Sequence, residues 1–456
     1  MKTAVVLCAG AGTKVWPYNK IRNKVMIPVS NIPIVAHSVN SLTEMGFEKI
    51  IIVGGSFAEE IRNYFRDFKN VEIIVDGAPK GTAFSLLKAR EAVGNENFLA
   101  LYGDTIVDTA DLQKLVSSFE ATGEATALVD EIRFDKAHDH VGCLLDDDGE
   151  IDGIFGHSHE STHFFAGFAF SPDVFELLAA NSGRFTEVEV GMMPHIEGYI
   201  EMTVSDMLKA GKKVNIVNAD SRVFDIDKPW HIVDASVEIN KKRCRALTKN
   251  EIGEGTVIDP TASIGGFIKT GKNCIIGKNV IIEGNIIIGD NTKILNGAIV
   301  QGGVVIGSLC SVRNACFVAE GSTIGDECIV SHAAELEGVI FKRVYLYHYM
   351  EFYGVIGENT DLGAATVCGT LRFDSFPSIQ HCKGRREFPQ NYSDCTFLGD
   401  YCRTGVNTIF MPGVKVGAYS VVGAGVILNQ DVPDNTLIYT KQELVQKPWS
   451  SDVYGW

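Results

Sequence analysis

The chain has 456 residues, with 41 lysines and arginines against 57 aspartates and glutamates and a formal net charge of −16. Such a charge argues against nucleic acid as a partner and requires any phosphate site to gather its cations locally. No apolar run approaches the roughly 20 residues that span a bilayer, and the first residues lack the basic, apolar, small-residue order of a signal peptide, so a cytoplasmic protein with no membrane partner is expected. The length favours two domains. The 11 cysteines include no Cys-x-x-Cys pair, which fits a reducing compartment better than a zinc site or a disulfide framework.

Val5, Val6 and Leu7 read as a short buried strand, followed by Cys8-Ala9-Gly10-Ala11-Gly12-Thr13-Lys14. Backbone N–H groups in a glycine-rich turn form an anion-binding concavity, so the loop from Leu7 through Ala9, Gly10, Gly12 and Thr13 suits a polyphosphate, to which Lys14 adds a fixed positive charge. Taken alone, such a loop also serves merely to close a turn. Lys20, Arg22 and Lys24 follow at once, so that two cationic segments flank one turn. Up to about residue 235, short aliphatic strands (3–7, 49–53, 71–75, 98–102 and 214–217) alternate with helical stretches (34–45, 58–67 and 83–93). This is the pattern of an α/β, Rossmann-like parallel sheet covered on both faces, whose ligands gather at the carboxyl ends of the strands. Asp104 and Asp225 stand at two such ends, where an aspartate is also a common helix cap.

The string from Leu7 to Lys14, with Arg22-Asn23-Lys24-Val25-Met26-Ile27-Pro28-Val29, resembles the opening signature of the sugar-1-phosphate nucleotidyltransferases. That family joins a nucleoside triphosphate to a sugar 1-phosphate and releases pyrophosphate. Lys14 stands where the family has arginine and Asn23 where it has proline; lysine keeps the charge but loses the forked grip on phosphate. The resemblance implies that Lys14 and Lys24 are catalytic and that Asp104 and Asp225 hold Mg²⁺. It also implies that Gly81 and Thr82 press on the base. Asp76 takes the place of a base-reading glutamine, and because a carboxylate only accepts hydrogen bonds, the base stays open between uracil or thymine and guanine. On the sugar side the resemblance implies Gly142 and Glu201, while Gly156-His157 replaces an expected Glu-Lys pair. His157, His159 and His163 crowd that stretch, but without a nearby carboxylate they read as solvated rather than as a metal site.

Beyond a polar connector at 239–250 the period changes. From Ile252 to Leu336 every sixth residue is aliphatic except Thr270, and glycine frequently comes next. Neither a helix nor an ordinary strand ladder has a period of six; a solenoid with one short strand on each triangular face does. Cys274, Cys310, Cys316 and Cys328 each precede a stacking aliphatic by two residues and read as small inward packing groups. The pattern resembles the hexapeptide-repeat, left-handed parallel β-helix, a family that usually trimerises. The expected organisation is therefore a nucleotidyltransferase domain at 1–238, a linker at 239–250, a β-helix at 251–440 and a tail at 441–456.

The whole arrangement resembles the bifunctional enzymes that make UDP-N-acetylglucosamine. By that resemblance His348 would accept the amine proton during transfer from acetyl-CoA, at a second site whose register departs from the family's by one residue. Arg385 and Arg386 are candidates for a CoA phosphate or a solvated hairpin tip. Two alternatives stay open: a GDP-mannose-forming enzyme, suggested by Asp76, and a non-catalytic nucleotide sensor on a trimeric coil, suggested by the departures at Lys14, Asn23, Asp76, Gly156 and Thr370.

Overall fold

The computed structural model describes residues 1–133, 137–156, 160–183 and 197–454. The Thr3–Cys8 strand lies at the middle of its sheet, parallel to Lys49–Gly54 on one side and to Phe98–Tyr102 on the other, with Val71–Val75 beyond. Both faces of the strand are covered. Val5 and Leu7 pack with Ala83, Leu86 and Phe98 on one side, and Ala4, Val6 and Cys8 with Val35, Val39 and Leu112 on the other. A strand buried on both faces must be apolar throughout, which explains its unbroken aliphatic run.

The sheet is not parallel throughout. His163–Phe170 runs antiparallel to Phe98–Tyr102 and Ala125–Glu131, and the hairpin of Val141–Leu145 and Ile151–Gly156 extends that edge. The expected helix at 83–93 is two, Thr82–Lys88 and Arg90–Val93. The connector is mostly helix as well. Pro229–Arg245 continues through residue 239 because Asn240 and Cys244 are buried against the second domain, so tertiary contact overrides the polar look of the segment.

In that second domain, short parallel strands stack from Val257–Ile258 to Leu437–Ile438 as a left-handed β-helix. Pairs such as Ile276↔Ile294 and Ile294↔Val312 put each aliphatic directly on the next, and the stack is buried to 2% exposure or less from Ile276 to Leu336. Thr270, the exception, uses its hydroxyl to accept from the Gly253 amide. The thiols of Cys274, Cys310 and Cys328 donate to carbonyls of the neighbouring coil at 3.0, 2.9 and 2.9 Å, as packing groups with a weak hydrogen bond.

The coil spacing is 18 residues at first, as in Asn296 to Asn314, and falls to 16 at His332 to His348. There one corner is lost, and Glu335–Ile340 and Glu351–Ile356 become continuous strands paired throughout. They bend at Gly338 and Gly354, whose φ values of 130° and 137° only glycine adopts readily. The next coil carries an insertion: Glu358 reaches its neighbour Asp400 across 42 residues, and the loop contains a hairpin of Gln380–Cys382 and Arg385–Glu387.

The flattened coils are where the domains meet. Val15, Tyr18, Ile27 and Ile34 form one core with Val339, Phe341, Val355 and Phe397, and the Tyr18 hydroxyl donates to the Val355 carbonyl at 2.8 Å. Among the described residues no helix is long and apolar enough to cross a membrane.

Candidate active site

The loop after the first strand takes its shape from two close approaches. Gly12 has φ of 59°, and a β-carbon there would fall 2.5 Å from the Lys24 side chain, so glycine lets the turn lie on that lysine. Gly10, by contrast, has open space where a side chain would stand, which leaves its backbone accessible. Leu7 and Ala9 are buried beneath the turn, and Thr13 is exposed on it.

The strand ends then converge. Gly103 bonds back to the Leu7 carbonyl, and the two-residue strand Thr105–Ile106 pairs with Phe224–Asp225, so that Asp225 lies opposite Thr105 and the Ile226 amide donates to the Asp104 carbonyl. Five charged side chains meet there. Lys24 Nζ donates to Asp104 Oδ2 at 2.7 Å and to Asp227 Oδ1 at 3.1 Å, and Lys14 Nζ donates to Asp227 Oδ2 at 2.7 Å. The structure thus brings Lys14, Lys24, Asp104 and Asp225 together and adds Asp227, which sequence reasoning passed over. The alternation Asp225-Ile226-Asp227 was its signal, since in an extended segment the outer two side chains share a face.

Charge within the cluster is unevenly shared. Burial lowers the Lys24 pKa, but Asp104, Asp227 and Asp225 outweigh it and hold the ammonium above its ordinary value. Burial raises Asp227, but Lys24 and Lys14 outweigh that and hold its carboxyl far below the usual range. Asp225 is pushed up to about 6, first by burial and then by the Asp104 charge. Its Oδ2 lies 3.5 Å from His140 Nδ1.

A carboxylate held near protonation by burial and a like charge is one that a cation would relieve. Asp104 and Asp225 therefore fit a divalent ion that takes few protein oxygens and fills its shell with water and phosphate. Among the described residues no three acidic, histidine or cysteine side chains form a fuller cage.

Other expected residues have additional duties. The Asp76 carboxylate is buried and accepts from the Ser85 hydroxyl at 2.9 Å and the Ala78 amide at 3.3 Å. Gly81, at φ of 106°, packs on the Gly198 carbonyl, and Thr82 Oγ1 accepts from the Ile200 amide, tying two helices together. Gly142 is demanded by its own sheet, because a β-carbon there would lie 2.5 Å from the His163 carbonyl and 2.7 Å from Ser161. Glu201 is buried, and its Oε1 accepts from the Tyr102 hydroxyl. Its Oε2 has no partner among the described residues, and burial pushes the pKa up to about 7. His157 and His159 lie outside the described residues, and Thr162 bonds His163 through Nδ1 at 2.9 Å.

Of the second cationic segment, Lys24 joins this cluster and Arg22 does not. Its guanidinium turns away from the loop and grips buried Asp400 through both nitrogens, at 2.8 and 3.1 Å, with Glu358 at 3.3 Å and the Phe341 ring 5.4 Å beneath. Burial would lower its pKa, but the Asp400 and Glu358 charges hold it above the ordinary value. Asn23 holds the same segment from the other side, donating to the Cys8 and Ser56 carbonyls. His348 is not in this cluster. It sits at an exposed corner of the β-helix at φ of 62°, stacked on His332 with their Nδ1 atoms 2.9 Å apart. Arg385 and Arg386 belong to the insertion hairpin, which docks on the nucleotidyl domain through Cys382 and the Lys14 carbonyl rather than beside His348.

Fold and site together define an NTP transferase domain mounted on a β-helix. Residues 4–183 match the family model described as a MobA-like NTP transferase domain. The full chain belongs to the GlmU family: it is 30% identical over 454 residues to "Bifunctional protein GlmU" of Methanococcus maripaludis strain C7, covering 97% of this chain and 98% of that protein. The GlmU of Methanocaldococcus jannaschii is 27% identical over 455 residues, covering 97% of this chain and 98% of that one. A "Bifunctional sugar-1-phosphate nucleotidylyltransferase/acetyltransferase" of Sulfurisphaera tokodaii is 25% identical over 452 residues, covering 94% of this chain and 98% of that one.

Proposed function

We propose that the amino-terminal domain transfers a nucleotidyl group from a nucleoside triphosphate to a sugar 1-phosphate, making an NDP-sugar of the UDP-N-acetylglucosamine or UDP/dTDP-glucose type. The observation that carries this reading is the meeting of Lys14, Lys24, Asp104, Asp225 and Asp227 beside the open Gly10 turn. The sugar phosphate oxygen attacks the α-phosphorus and the bond to the β-phosphate oxygen breaks, so pyrophosphate leaves. Such a reaction asks the protein for positioning and charge neutralisation more than covalent chemistry. Lys14 and Lys24 supply positive charge, and Asp227 holds both in place. Asp104 and Asp225 would hold Mg²⁺, which when bound neutralises triphosphate charge. Glu201, with a buried oxygen that no described residue meets, suits a sugar hydroxyl, and Gly81 and Thr82 suit the face of the base. Pyrophosphate release is measured with each NTP against a panel of sugar 1-phosphates; silence with every pair rejects the reading.

A second activity has its own support in His348. An imidazole exposed at a corner, with the His332 ring at its Nδ1, leaves Nε2 available to take a proton from the amine of an amino-sugar phosphate. That amine attacks the acetyl-CoA carbonyl, the histidine takes the proton, and the thiol leaves. A homotrimer built through the β-helix is the assembly this reading expects. Thiol release with glucosamine 1-phosphate tests it, and an unchanged rate in His348→Ala removes that residue from the mechanism.

A further inference from the structure

Beside the phosphate loop lies a cavity of about 430 Å³ that both domains line. Thr13, Lys14 and Lys20 come from one, and His381, Lys383 and Asp434 from the other. In a chain of net charge −16, three ammonium groups thus border one open space. Asp434 is already engaged, accepting from Trp16 Nε1 at 3.0 Å and the Ala418 amide at 2.9 Å, and lying 3.9 Å from Lys20.

The hairpin that brings Lys383 here is fixed at several points. Its Gln380 is fully buried and accepts from buried Lys415 at 2.6 Å, Cys382 Sγ donates to the Lys14 carbonyl at 3.7 Å, and Glu387 pairs with buried Lys228 at 3.3 Å. Because Cys382 pairs with Arg385, the turn is Lys383-Gly384, with φ of 47° and 77°. A turn with positive φ at both positions is normally filled by Asn-Gly. Lysine at the first position is therefore not explained by turn chemistry, and what it adds is a cation at the mouth of the cavity.

We propose that Lys383, with His381 beside it, binds the β- and γ-phosphates of the nucleotide and then the leaving pyrophosphate, so that the β-helix completes the nucleotidyl site of its own chain. The inference rests on the nucleotidyl transfer proposed above and identifies a further binding residue for it. It also accounts for a site that holds lysine at position 14: a second point charge from the other domain offsets the missing guanidinium fork.

The test is titration of inorganic pyrophosphate into the full chain by calorimetry, alongside steady-state kinetics. Lys383→Asn removes the charge and keeps a residue the turn prefers, so its melting temperature should match wild type. Its pyrophosphate Kd and NTP KM should rise roughly three- to tenfold, as for an exposed charge-assisted contact. The KM for sugar phosphate should stay constant, and Lys383→Arg should restore most of the affinity. Equal pyrophosphate affinity in Lys383→Asn and an active wild type overturns this inference alone. Wild-type protein that neither binds pyrophosphate nor turns over any NTP overturns the nucleotidyl reading as well.

Discussion

The two halves of the molecule are held together over different distances. In the β-helix each buried aliphatic rests on its counterpart in the neighbouring coil, commonly 18 residues away in sequence, so structure is made from neighbours of the same kind. In the nucleotidyl half, Lys14 meets its carboxylate across 213 residues and Lys24 across 203, while Arg22 finds its anchor 378 residues away in the other domain. The difference teaches where rigidity originates. A solenoid coil needs only adjacent coils, whereas the phosphate segment is set between its own sheet, through Asn23, and the β-helix, through Arg22.

The strongest way to break this comparison is Arg22→Ala. Both Arg22 and Asp400 are buried, with side-chain exposures of 6% and 0%, and removing the guanidinium leaves a carboxylate in the core that, among the described residues, keeps the Glu358 amide as its hydrogen-bond donor. The expected loss is about 3–5 kcal/mol of stability in urea unfolding, with a fall in the rate of pyrophosphate release. Wild-type stability and activity in that variant would mean that the β-helix gives the nucleotidyl site no footing.

What could be read from the sequence divides along the same line. The period of six runs from Ile252 to Leu336, so that part of the solenoid was legible to the residue, including Thr270 as its exception, whereas the shortening to 16 residues at His348 and the 42-residue step from Glu358 to Asp400 break it. The aliphatic runs of the central parallel strands Thr3–Cys8, Lys49–Gly54 and Phe98–Tyr102 were legible because burial on both faces leaves little room for polar positions. The antiparallel edge from Ala125–Glu131 to His163–Phe170 was not, since its pairing is set by tertiary contact. Asp104 and Asp225 could be placed by a motif, because strand ends are local features. The destination of Arg22 could not, because nothing near position 22 reports a carboxylate at 400. Asp227 lay in plain view but had no assigned task until two lysines were seen to share it.

A smaller effect separates the halves by pH. Glu201 has its pKa pushed up to about 7 by burial, while an unfolded glutamate titrates near 4.3. Between those values the folded state retains a proton that the unfolded state has released, so this group makes stability fall as pH rises through the window and then level off. Binding should run the other way. Sugar hydroxyls donating to Oε2 favour the ionised form, so the KM for sugar phosphate should fall by up to about tenfold per pH unit until pH 7. Glu201→Gln should flatten both dependences and raise that KM. A wild-type KM that ignores pH between 5.5 and 7.5 would remove Glu201 from the sugar site.

The smallest expected change is the sharpest probe of independence. Ile294 is fully buried between Ile276 and Val312, inside the stack and outside the core shared with the nucleotidyl domain. Ile294→Val removes one methyl group and should cost roughly 0.5–1.5 kcal/mol in urea unfolding. The coils on either side keep their backbone ladders, so the defect stays local and the KM values for NTP and sugar phosphate should equal those of wild type. Phe341→Leu is its counterpart. Phe341 lies in the shared core, 5.4 Å from the Tyr18 ring and 5.4 Å from the Arg22 guanidinium. Its loss should therefore reach the phosphate segment and raise the KM for NTP. If the two variants changed nucleotidyl kinetics alike, the β-helix would transmit disturbance along its whole length, and the contrast between a locally made coil and a jointly held site would fail.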